Sequence, residues 1–143
     1  MSEKYTNRLL KIAANRITKK LDLFAQKYDL TWMQMSVIDF LSRKNDQEIF
    51  QSDIEKEFYI QRSTATVLLQ RMEKRDLIYR RLSTSDARQK SVFLTEKSHK
   101  LEIDINHFMQ NNQELLENNF SAAEIAIFEK ILNFYVQGGN TDE

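Results

Sequence analysis

From Tyr5 onward, apolar residues return every three or four positions: Leu9, Ile12, Ala13, Ile17, Leu21, Phe24 and Tyr28. That spacing follows the 3.6-residue helical turn and predicts a long amphipathic helix. Thr31 followed by Gln34 has the form of a capping box and opens a second helix carrying Val37, Ile38 and Leu41. Ser52 with Glu55 signals the next start, for a short helix with Ile54 and Phe58 inward and a tight turn at Tyr59 and Ile60. A further helix over 62–75 places Ala65, Leu68, Leu69 and Met72 on one side. Strand candidates then lie at Ile78 to Leu82 and at 91–94, and the Ser/Thr/Asp-rich loop between them predicts a hairpin. Thr95 is placed to cap a long helix with Leu101, Ile105, Phe108, Leu115 and Leu116. Ser121 with Glu124 forms the clearest capping box and starts a final helix through Ile125, Phe128, Ile131, Leu132 and Tyr135.

Proline is absent and the only glycines are Gly138 and Gly139, so the helices are free to run long until a glycine stop at the end. The element order predicts a mainly α fold with a small β-hairpin wing. Residues 31–94 read as a winged helix-turn-helix. The helical regions 1–30 and 95–138 are longer than that module needs, and their apolar stripes predict dimerisation helices at both ends of a single domain, 1–143. A monomeric helical cap is the alternative use of those stripes.

With 143 residues, 41% hydrophobic and 29% charged, the chain suits one soluble folded domain. There is no cysteine, which excludes disulfides, thiol redox chemistry and Cys-ligated zinc. Nothing approaches the roughly 18 to 20 apolar residues needed to span a bilayer, and charges interrupt the first sixteen positions, MSEKYTNRLLKIAANR. A cytoplasmic location and no membrane partner are expected. The net charge is zero, but its distribution is uneven: 61–95 holds eight basic and three acidic residues, for +5. A helix beside a basic hairpin is the arrangement that enters one groove of double-stranded DNA and grips the next.

At about 100° per residue, Ser63, Val67, Gln70 and Lys74 point away from the apolar side of helix 62–75, with Thr66 and Arg71 on the flanks. Gln70 suits a bidentate contact with adenine, and Val67 a thymine methyl. Arg62, Ser63 and Thr64, near the helix start, suit phosphates, helped by free N–H groups and the dipole. For Arg71, pairing with a nearby carboxylate weighs evenly against a DNA contact; for Ser63 and Thr64 the bland alternative is helix initiation.

Asp86, Ala87, Arg88 followed by Val92, Phe93, Leu94, Thr95 looks like a D-x-R…LT wing signature, and Ser63 to Thr66 with Arg71 to Lys74 matches a recognition-helix pattern. In these motifs, and in the order and spacing of elements over essentially its whole length, the chain resembles the MarR family of bacterial transcription regulators. It departs where the family commonly has glycine, here Asp76 and Ser98, and where a basic residue is frequent, here Val67. The wing resemblance puts Arg88 in a minor groove, where a narrow groove concentrates negative potential, with Lys90 adding phosphate attraction. Asp86 would then hold Arg88 or the loop backbone in place.

The resemblance further implies a homodimer that occupies a pseudo-palindromic operator, usually repressing, and releases it on binding a small effector, often an aromatic acid or phenol. Trp32, Met33, Met35 and Tyr5 fit the lining of such a cleft no better than ordinary core packing, so no ligand residues are assigned. An enzyme finds little here: there is no Gly-rich loop, and His99 and His107 lie eight apart, not in a two-ligand helical spacing. No metal or other cofactor is expected. A winged-helix protein-interaction module and a His/carboxylate metal-responsive regulator are the alternatives.

Overall fold

The structure is a computed structural model and describes residues 5–44 and 46–138. Helix α1 spans Thr6–Ala25 and closes through a 3-10 turn, Gln26–Tyr28, onto Asp29 in the left-handed region at φ 59°. Helix α2, Trp32–Ser42, starts at Thr31 with a complete capping box: the Thr31 side chain accepts from the Gln34 N–H, and Gln34 reaches back to the Thr31 N–H. Helix α3, Gln51–Phe58, begins earlier than the Ser52–Glu55 signal implied. Its N-cap is Phe50, whose N–H donates to the Asp53 carboxylate at 2.8 Å. A charged acceptor three residues on outweighs a serine hydroxyl, and Ser52 already lies inside the first turn.

Tyr59, at φ 51°, ends α3 and turns the chain into α4, Arg62–Lys74. Ala65, Leu69 and Met72 of α4 are fully buried, with Leu68 packed at the margin of the same core. Asp76 then adopts φ 60°, a left-handed position that a short polar side chain tolerates better than most. Strand β1, Ile78–Leu82, pairs antiparallel with β2, Lys90–Leu94, in the register Ile78 to Leu94 and Leu82 to Lys90. The Val92 N–H donates to the Ile49 carbonyl at 2.8 Å, which lays the segment before α3 along the free edge of the hairpin.

Thr95 does accept from the Ser98 N–H, but the helix it caps, α5, covers only Glu96–His99. The expected long helix is interrupted at Lys100 and Leu101 and resumes as α6, Glu102–Asn119. Two hydroxyls tie that first turn to the base of β1: Ser98 donates to the Leu77 carbonyl at 2.7 Å and Thr95 to the Asp76 carbonyl at 2.7 Å. The short helix is thereby anchored to the hairpin, and α6 starts separately after it. Helix α7, Ala122–Val136, opens on the Ser121–Glu124 capping box.

The fully buried side chains, among them Met35, Ile38, Ile54, Leu69, Met72, Leu77 and Ile78, come mostly from α2 to β2, joined by Ile105 of α6 and Ala25 of α1. Burial of this contiguous apolar surface is the main force holding the winged unit together. The terminal helices differ. No described residue of α7 is buried, and Leu9, Ile17, Ile127, Ile131 and Phe134 are all about half exposed or more. Among the described residues, no helix is long and apolar enough to cross a membrane.

Candidate nucleic-acid interface

The buried stripe of α4 leaves its opposite side open. Ser63, Val67, Gln70, Arg71 and Lys74 are exposed, and Val67 keeps 44% of its surface in a position where an apolar group would otherwise be hidden. The start of the helix, Arg62, Ser63 and Thr64, is exposed as well, and its N-cap, Gln61, makes no side-chain cap. Two N-terminal hydroxyls and free backbone N–H groups therefore face outward together. Arg71 makes no ion pair among the described residues.

Thr66 is used internally. Its hydroxyl donates to the Arg62 carbonyl and accepts from Gln51 Nε2, both at 2.9 Å, and Gln51 also donates to that carbonyl at 3.3 Å. This pins the first turn of α4 to α3. The far end of α4 is tied to the wing, where Arg80 Nη2 lies 2.6 Å from the Glu73 carboxylate.

At the wing tip Asp86 accepts from the Arg88 N–H at 3.0 Å, from Arg88 Nε at 3.1 Å and from Gln89 Nε2 at 3.0 Å. The Arg88 hydrogen bond, then that of Gln89, holds the Asp86 carboxyl below the usual carboxylate range. Arg88 itself stays 90% exposed, with guanidinium donors left over for an outside acceptor. Between α3, α4 and the wing lies an open cleft of about 620 Å³ lined by Gln51, Arg62, Arg80, Arg88, Gln89 and Lys90. Among the described residues Arg62 and Lys90 make no ion pair and Arg88 pairs only at the loop tip, so four cations against the one lining carboxylate, Glu55, suit a polyanion.

Several contributors escape a reading of the sequence. Glu48 accepts hydrogen bonds from Ser83, Thr84 and Ser85 in the wing loop, and Arg75 reaches Gln34 and Asp29. Their partners are distant in sequence, and no local spacing signals them. Met35 is fully buried and Trp32 and Met33 are half-buried, whereas Tyr5 is 76% exposed. His99 Nδ1 pairs with Glu102 at 2.7 Å, and among the described residues no group of three His, Asp or Glu is placed to hold a metal.

An α4 presented beside a β-hairpin, with α3 braced behind it, defines a winged helix-turn-helix protein. The MarR family model matches residues 28–89. The transcription regulator MarR from Oenococcus oeni PSU-1 is 46% identical, covers 94% of this chain and 100% of its own, and superposes with a TM-score of 0.89. The chain belongs to the MarR family. The MepR–DNA complex of S. aureus shares the fold at 22% identity, with a TM-score of 0.81 over 96% of this chain and 100% of that one. The HTH-type transcriptional regulator SarZ of Staphylococcus aureus is 28% identical over 89 residues, 62% of this chain. The matched region spans 59% of SarZ.

Proposed function

We propose that this protein is a DNA-binding transcription regulator that works as a homodimer on a pseudo-palindromic operator. The observation that carries the reading is the shared cleft: Arg62 and Thr66 at the start of α4 line it together with Arg80, Arg88 and Lys90 of the wing. In this reading α4 lies in a major groove, with Gln70 and Val67 against base edges and Lys74 and Arg71 at the flanks. Arg62, Ser63 and Thr64 meet phosphates at the helix start, and Thr66 keeps that start in register through Gln51. Arg88 enters the neighbouring minor groove, oriented by Asp86, while Lys90 attracts the backbone.

The exposed apolar faces of α1 and α7 support the homodimer, because a monomer that left them in water would carry an unusually large apolar patch. Residues 1–30 and 95–138 then act as dimerisation helices around the winged unit at 31–94. Two such units on one dimer read half-sites about one helical turn apart. The relatives are regulators by name, one of them solved on DNA. In this reading the protein represses a promoter in the cytoplasm and is released by a small aromatic or phenolic effector. Such an effector acts by favouring a spacing of the two α4 helices that no longer fits successive grooves.

Selection of fragments from genomic DNA by the purified protein, followed by a salt titration on the enriched duplex, tests the reading. Binding through several phosphates falls by orders of magnitude over a few-fold rise in salt. Affinity indifferent to salt, or no enrichment, would instead support a winged-helix module that binds protein.

A further inference from the structure

Four consecutive residues brace the wing against the recognition helix. Glu48 takes the start of the wing loop, and Ile49 takes the Val92 N–H in the middle of β2. Phe50 caps α3, and Gln51 reaches across to Thr66 and Arg62 on α4. Glu48 is the member of this set that touches the wing loop. Its Oε2 accepts from Ser83 Oγ at 2.6 Å and Ser85 Oγ at 2.8 Å; its Oε1 accepts from Thr84 Oγ1 at 2.8 Å and Thr84 N–H at 3.1 Å.

Four donors on one carboxylate make a charge-assisted clamp that a single hydroxyl pair could not match. The clamp extends toward the tip, because the Ser83 hydroxyl also accepts from the N–H groups of Ser85 and Asp86, each at 3.0 Å. Asp86 is the residue that orients Arg88. A continuous set of hydrogen bonds therefore runs from Glu48 to the wing-tip guanidinium. A two-stranded hairpin is at best marginally ordered alone, so its direction depends on such outside ties.

We propose that Glu48 is a positioning residue for DNA recognition, setting the pitch of the wing against α4 so that Arg88 and the reading face arrive on one duplex together. This role rests on the DNA-binding reading above. A carboxylate beside a cationic DNA-facing cleft would by itself oppose binding. Here its lone pairs are turned inward onto the wing and its benefit lies in preorganisation. The hydrogen bonds from Ser83, then Ser85 and Thr84, hold its carboxyl at about 2, so the clamp stays charged throughout the working range.

Two measurements test the proposal on the whole protein. The first is hydrogen–deuterium exchange without DNA, comparing wild type with Glu48→Ala and with the milder Glu48→Gln. Amides of 83–90 are expected to exchange faster in both variants while those of 65–72 keep their wild-type protection. The second is a double-mutant cycle with Arg88→Ala on a duplex selected by the wild-type protein from a random-sequence library. Glu48→Ala alone is expected to weaken binding about 10-fold, and adding it to Arg88→Ala should cost little more, because the wing has then already lost the side chain that Glu48 aims through Asp86. Unchanged exchange over 83–90 would overturn the clamp. Losses that multiply in the double variant would overturn the positioning role, and a wild-type protein that selects no duplex would overturn the DNA reading beneath it.

Discussion

Arg75 Nη1 donates to Gln34 Oε1 at 3.0 Å, joining the end of the recognition helix to the capping box of α2. The same guanidinium donates through Nη2 to the backbone carbonyl and the carboxylate of Asp29. Gln34 is buried, and its oxygen also accepts from the Thr31 N–H, so this one amide both caps α2 and holds the end of α4. Arg75 belongs to the basic segment but works as internal scaffolding. Arg75→Met should lower folding stability by roughly 1.5 to 3 kcal/mol, the range for a hydrogen bond to a charged group. Urea denaturation checks this, and the salt dependence of DNA binding should not change. A loss of one phosphate equivalent from the salt slope would instead place Arg75 on the duplex.

Removing the wing-tip cation should act in the opposite way. Arg88 is 90% exposed, so Arg88→Ala costs little stability, while DNA affinity is expected to fall by roughly 1 to 3 kcal/mol. Equilibrium binding to the selected duplex measures the loss. Wild-type affinity in a folded variant would refute the minor-groove role.

Gln70 separates reading from gripping. Gln70→Ala should weaken binding to the best sequence by roughly 1 to 3 kcal/mol and broaden preference at one base pair in each half-site. Lys74→Ala should weaken all sequences alike. Repeating the duplex selection with each variant distinguishes the two patterns, and an unaltered base preference for Gln70→Ala would move base reading elsewhere on α4.

These outcomes bear on how much of the site was legible beforehand. The periodicity of 62–75 separated a buried side, Ala65, Leu69 and Met72, from an open one, since helical phase depends only on local geometry. The hairpin and most helix starts were legible for the same reason. The allocation of charge was not. Arg75 finds Gln34 at a separation of 41 residues, and Glu48 finds Ser83 at 35, through packing that no short-range pattern encodes. Arg80, counted among the cations of the basic segment, is held by Glu73. The break at Lys100 and Leu101 was hidden too, because the contacts that set the direction of α5 come from Asp76 and Leu77.

Acid offers a separate check on the wing loop. The Glu48 carboxyl sits at about 2 against an ordinary 4.5. A depressed folded value means that the ionised form is favoured by folding, so its contribution is full above about 4.5 and disappears as pH falls through about 2. Glu48→Gln lacks this titration. The difference in Tm between wild type and Glu48→Gln should therefore be largest near neutrality and narrow steadily below pH 4.5. A difference that stayed constant down to pH 2 would show that the charge of Glu48 contributes nothing to the wing.

The open apolar surface of α7 makes the strongest demand for a partner. Ile127, Ile131 and Phe134 are exposed by 59%, 48% and 57%, and Leu9 and Ile17 on α1 by 57% and 59%. Covering such faces with a second copy stabilises by roughly 25 cal/mol for each Å² of apolar surface removed from water. Ile131→Glu puts a charge where that contact forms, and an unpaired buried carboxylate is costly enough to dissociate a dimer. Light scattering should give half the wild-type mass, with helical content unchanged by circular dichroism. Binding to a two-half-site duplex should fall by more than about 100-fold, because the second half-site is no longer presented by the same molecule. A monomeric wild type at micromolar concentration, or an Ile131→Glu variant that stays dimeric, would remove α7 from the interface and leave its apolar surface to another partner.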